Sequence, residues 1–80
     1  MLQSAQLRAA RALLGWRQED LAKASGVGLA TVARIEQGKG VVQGNFSTIV
    51  KLQQTLERAG ISFIDDPEGG MGVRLYRPDR

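Results

Sequence analysis

Gln18-Glu19-Asp20-Leu21-Ala22-Lys23-Ala24-Ser25-Gly26-Val27-Gly28-Leu29-Ala30-Thr31-Val32-Ala33-Arg34-Ile35-Glu36-Gln37-Gly38 is the stretch on which the reading of this chain turns. Residues 18–24 send Leu21 and Ala22 toward an interior and read as a short helix. Ser25-Gly26-Val27 breaks the period, with Gly26 where a left-handed residue would close that helix. A second helix follows from about Leu29 to Gln37, its inward face marked by Val32 and Ile35 at i, i+3 spacing. Gly38 stops it. Helices this short are stable only when packed against other elements.

Those elements lie on both sides. Residues 4–14 are rich in alanine and arginine and favour a helix. Ser4 is expected to cap its start, and Leu7, Ala10 and Leu14 form its inward stripe. Gly15 ends it, and Trp16 at the corner is expected to cover the junction of the first two helices as a packing residue. Beyond the central stretch, residues 39–44 form a glycine-bounded loop. Asn45 is a good cap for a fourth helix, Phe46 to about Ala59, with Phe46, Ile49, Leu52 and Leu56 on its inner face and Gly60 at its end.

The last twenty residues change character. Ile61-Ser62-Phe63-Ile64 is β-branched and aromatic, and Val73-Arg74-Leu75-Tyr76 alternates as a half-buried strand does. Between them Asp66-Pro67-Glu68-Gly69 has the residues of a type I turn. Period two turns Ile61, Phe63, Val73 and Leu75 toward the helices and leaves Ile64 and Tyr76 on the opposite face. A lone two-stranded hairpin is marginal in water and its edges invite another chain, so Ile64 and Tyr76 are expected to serve dimerisation. The alternative is a hairpin that merely closes the core of a monomer. The expected fold is therefore mainly α: a four-helix domain over residues 1–60, followed by a two-stranded β segment over residues 61–80.

Composition narrows the function. The 80 residues contain no cysteine and no histidine, which removes disulfides, thiolate chemistry, the usual zinc ligands and the commonest general base. The chain is expected not to be an enzyme and to need no metal and no cofactor. No apolar run approaches the ~18 residues that span a membrane and no signal pattern opens the chain, so a cytoplasmic location and no membrane association are expected. Residues 1–60 carry eight basic and four acidic side chains, a net of +4, whereas residues 61–80 carry three basic and four acidic, a net of −1. The positive field belongs to the helical part.

Helix, short glycine-containing turn, helix is the pattern of a DNA-binding helix-turn-helix. Arg11, then Gly15-Trp16-Arg17-Gln18-Glu19-Asp20-Leu21-Ala22, Gly26-Val27, and Thr31-Val32-Ala33-Arg34-Ile35-Glu36-Gln37-Gly38 resemble the Cro/lambda-repressor-like family of transcription regulators over roughly residues 4 to 60. The resemblance implies that the second helix of the motif lies in the major groove of double-stranded DNA. It also implies that the protein acts as a homodimer.

Further roles follow by position. The family's base readers fall at Leu29, Ala30 and Arg34, which with Ala33 and Gln37 project from the outward face. Arg34 alone among them can pair bidentately with guanine, and it could equally grip a phosphate. Leu29 and Ala30 offer apolar contact, as to thymine methyl groups. The resemblance places Gln18 against a phosphate at a helix N-terminus. Thr31 bonds a phosphate or its own backbone, and Arg17, Lys39 and Asn45 are further phosphate contacts. Arg11 and Glu36 are implied to form a structural ion pair between the first and third helices. Arg17 and Gly28 stand where the family has Ser or Thr caps; arginine caps poorly, so the first motif helix must lean on packing or on Glu19 and Asp20.

Two functions fit. The first is a dimeric regulator on a pseudo-palindromic operator. The second is an antitoxin-type protein that binds a protein partner, a toxin, and regulates its own promoter.

Overall fold

Leu7, Leu21, Val32 and Leu52, one from each of four helices, have no exposed surface and belong to a single core. The computed structural model describes residues 2–77. Its elements are α1 (Ser4–Leu14), α2 (Gln18–Ser25), α3 (Leu29–Gln37), α4 (Phe46–Arg58), β1 (Ile61–Asp65) and β2 (Met71–Leu75). The fold is mainly helical with a two-stranded antiparallel sheet at its C-terminal end, as the sequence pattern predicts. Ala10, Val27, Ile35, Val42, Leu56 and Ile61 complete the core, and Trp16 packs half-buried against it. Each fully buried leucine contributes about 1.5–3 kcal/mol relative to exposure.

The N-terminus of α1 corrects one expectation. Ser4 is not the cap but the first helical residue, and Gln3 holds the cap position. Ser4 is drawn inward because both its polar groups have distant partners. Its N–H donates to the Gly40 carbonyl at 2.9 Å, and its hydroxyl to the Ile35 carbonyl at 2.9 Å. With the Val42 N–H bonded to the Leu2 carbonyl at 3.0 Å and a bridge between Gln3 and Val41, the loop after α3 is tied to the start of the chain.

Phe46 is a second correction. It opens α4 but is 81% exposed, while Leu52 and Leu56 are buried and Ile49 half-buried. At 100° per residue Phe46 lies about 120° around the helix from Leu52, off the buried face. Asn45 does cap this helix, its Oδ1 accepting the Ser47 N–H at 2.9 Å.

The hairpin pairs Ile61 with Leu75, Phe63 with Val73 and Asp65 with Met71. The Gly69 N–H donates to the Asp66 carbonyl at 2.9 Å, closing the turn where the sequence places it. Ile61 is buried, Phe63, Val73 and Leu75 pack against the core, and Ile64 and Tyr76 are 41% and 67% exposed. Tyr76 lies one residue beyond β2, its N–H donating to the Gly60 carbonyl at 2.8 Å. β2 rests on α1 and β1 on α4. Gln6, only 3% exposed, fastens the sheet: its Nε2 donates to the carbonyls of both Ile64 and Gly72, each at 3.0 Å.

Candidate nucleic-acid interface

The α2–α3 unit is shaped by its turn. Gly26 adopts φ 77° and closes α2, its N–H donating to the Ala22 carbonyl at 2.9 Å. The Ser25 hydroxyl accepts the Val27 N–H at 3.2 Å, and Val27 inserts into the core. Gly28 then caps α3 from extended backbone, without a side chain. The start of α2 has Arg17 at its cap position, and the stabilising carboxylate is supplied by Asp20, whose Oδ2 accepts the Arg17 N–H at 2.8 Å. That main-chain bond lowers the Asp20 pKa, and the Arg17 and Lys23 charges act in the same direction.

α3 buries Val32, Ile35 and Glu36. Its other side is open: Leu29 is 45% exposed, and Ala30, Arg34 and Gln37 are exposed as well. Thr31 and Ala33 are half-buried, so Ala33 stands less clear of the surface than the outward-face reading places it. An exposed leucine at the front of the helix, with Ala30 and Arg34 at i, i+4 beyond it, makes a face able to meet apolar and polar edges.

Behind this face sits a buried charge cluster. Glu36 is 2% exposed, and Arg11 grips it with two bonds, Nε to Oε2 at 2.7 Å and Nη2 to Oε1 at 2.8 Å. The remaining Arg11 Nη1 donates to the Trp16 carbonyl at 2.9 Å, which ties the corner between α1 and α2 to the same centre. Gln18 joins it, Nε2 donating to Glu36 Oε1 at 3.3 Å. Arg11, Gln18 and Glu36 therefore come together, lining a shallow open groove with Arg8, Ala33 and Gln37.

The other cations are spread along the surface. Arg34 and Lys39 share a concavity at the end of α3 with Ser4, Gly38, Val41 and Gln43. Arg17 is exposed at the start of α2, its Nε 3.7 Å from Asp20. Asn45 is exposed at the start of α4 with its Oδ1 engaged by Ser47. Ile64 and Tyr76 belong to the hairpin rather than to this face. Among the described residues no group of acidic, histidine or cysteine side chains is placed to hold a metal ion, and no helix is long and apolar enough to cross a membrane.

Sequence reasoning passed over Arg8, which reaches from α1 to the carbonyls of Glu36 and Gly38. The signal was present in the spacing of Ser4, Arg8 and Arg11 at i, i+4 and i+7, one face of a helix. A sequence model of the helix-turn-helix family matches residues 7–59. No curated protein matches the chain.

Proposed function

The chain belongs to the Cro/lambda-repressor-like helix-turn-helix family of DNA-binding regulators, and from that premise we propose that it recognises a pseudo-palindromic operator as a homodimer. In this reading α3 enters the major groove and α2 crosses the backbone. The observation that carries it is the division of α3 into a buried face fixed by Arg11 and Glu36 and an open face bearing Leu29, Ala30 and Arg34. Arg34 contributes a bidentate contact to a guanine edge, and Leu29 and Ala30 contribute apolar contacts. Arg17, Gln18, Thr31, Lys39 and Asn45 hold the phosphates on either side. The Gln18 carboxamide, already donating to Glu36, joins the phosphate contact to the ion pair.

Support for the homodimer comes from the hairpin. In an antiparallel pair, bonded and non-bonded residue pairs alternate. The bonds at Gly60–Tyr76 and Asp66–Gly70 make the Ser62–Arg74 and Ile64–Gly72 pairs the bonded ones. The main-chain groups of Phe63 and Val73 then face outward along opposite edges, where a second strand can add. Two such subunits present their α3 helices to half-sites about 34–36 Å apart.

Selection of bound duplexes from a random DNA library tests this function. A shared, dyad-related sequence is expected. Arg34→Ala should then lose about 1–3 kcal/mol on the selected duplex and relax preference at one base position in each half-site. Undiminished affinity with unchanged preference removes Arg34 from the readout. The antitoxin-type reading rests on the same exposed Ile64 and Tyr76, and a stoichiometric protein partner purified with the chain would favour it.

A further inference from the structure

The first two helices end alike. Gly15 and Gly26 are left-handed, and main-chain N–H groups fold back onto the preceding carbonyls. α3 ends differently. Gly38 is extended (φ −67°, ψ 170°), and among the described residues no main-chain N–H outside the helix returns to its last turn. The last carbonyls of any helix lack partners within it. Here α1 supplies the donors. The Ser4 hydroxyl donates to the Ile35 carbonyl at 2.9 Å, and Arg8 Nη1 donates to the Glu36 carbonyl and, at 3.3 Å, to that of Gly38. One turn further along α1, Arg11 takes the Glu36 side chain. The Arg8 charge also lies where a helix dipole favours a cation.

We infer that Ser4 and Arg8 are positioning residues that cap the C-terminus of α3 from another helix and thereby set the pose of Arg34 and Gln37. The cap fits the close approach of the two segments, since a Cβ on Gly38 would sit 3.2 Å from the Ser4 Oγ. It leaves the rest of the Arg8 guanidinium on the surface beside Gln18 and Gln37, yet its function is to hold the helix end rather than to grip DNA. The consequence for operator recognition rests on the DNA-binding function proposed above. The cap itself does not.

Amide hydrogen exchange in the free, full-length protein tests the cap. Arg8→Met retains the aliphatic stem and removes the donors. Exchange at Glu36 and Gln37 should quicken roughly tenfold, with Leu52 and Leu56 in α4 unchanged. Ser4→Ala should act in the same direction, and Arg8→Lys should restore part of the protection. Unchanged exchange at residues 36 and 37, or an equal increase across all four helices, overturns the cap. On DNA, Arg8→Met should weaken binding to a library-selected duplex about tenfold more than to a scrambled one, and leave the slope of log K against log salt unchanged. An equal loss on both duplexes with a slope smaller by about 1 makes Arg8 a phosphate contact and overturns the positioning role. If neither duplex is bound by the unmodified protein, the DNA-binding function fails, while the exchange result still decides the cap.

Discussion

Glu36 is the residue on which most of the motif depends. It is a carboxylate with 2% exposure whose oxygens are held by Arg11 and Gln18. Glu36→Ala strands the Arg11 guanidinium, itself only 19% exposed, and should destabilise the fold by about 3 kcal/mol in urea unfolding. Arg11→Met with Glu36→Leu should recover much of that loss, because neither variant side chain leaves a charge behind. Asp20 makes a smaller, pH-dependent contribution. Its folded pKa lies below the unfolded value, chiefly through the Arg17 N–H, so its stabilisation is present above the ordinary carboxylate range and is lost as pH falls through the folded pKa. Urea titrations of the unmodified protein and Asp20→Asn should therefore differ near neutrality and converge in acid. The positions of Arg11 and Glu36 are visible in the sequence through motif spacing. The shared face of Ser4, Arg8 and Arg11 is visible as well, but the acceptors of Arg8 and Ser4 are not, because these are main-chain groups at the end of α3, roughly thirty residues away.

At the scale of elements, periodicity located the helices and the hairpin well, since each carries an apolar repeat matched to its geometry. It failed at the start of α4. Phe46 satisfies an i, i+3 pattern with Ile49 yet stays in solvent, because the pattern marks a stripe without saying where the neighbouring elements end. The junction of α4 and β1 depends on Gly60. Its φ is 111°, and a Cβ there would meet the Tyr76 carbonyl oxygen at 2.7 Å. Gly60→Ala thus combines a strained backbone with a clash against main chain that is itself bonded to Gly60. A loss of about 2–3 kcal/mol is expected in thermal unfolding, larger than for Ala at Gly28, where the backbone is extended and space is open.

At the scale of the whole molecule, the proposed homodimer turns on whether the hairpin meets a second copy. Deleting the β segment is a poor test, because Ile61 is part of the core and Gln6 would lose both acceptors. Ile64→Lys is cleaner, since Ile64 is 41% exposed on the outer face. Sedimentation at tens of micromolar should give a dimer for the unmodified chain and a monomer for Ile64→Lys, with thermal stability of each subunit otherwise kept. A monomeric unmodified chain at that concentration sinks the dimer. Simple alternation made the exposure of Ile64 and Tyr76 legible in the sequence, but alternation says nothing of what would cover them.

The bond from Gln6 across to both strands has a consequence for the chain during its synthesis. Helix α1 leaves the ribosome before the hairpin, yet the amide of Gln6 finds its acceptors at residues 64 and 72. Until those residues emerge, a side chain that ends 3% exposed must stay hydrated, and α1 cannot settle on the sheet that covers it. The donors that α1 extends to the end of α3 are on that same α1. A growing polypeptide that already contains the whole helix-turn-helix thus still lacks the two acceptors over which Gln6 is buried. The core closes over Gln6 only when the hairpin has been translated.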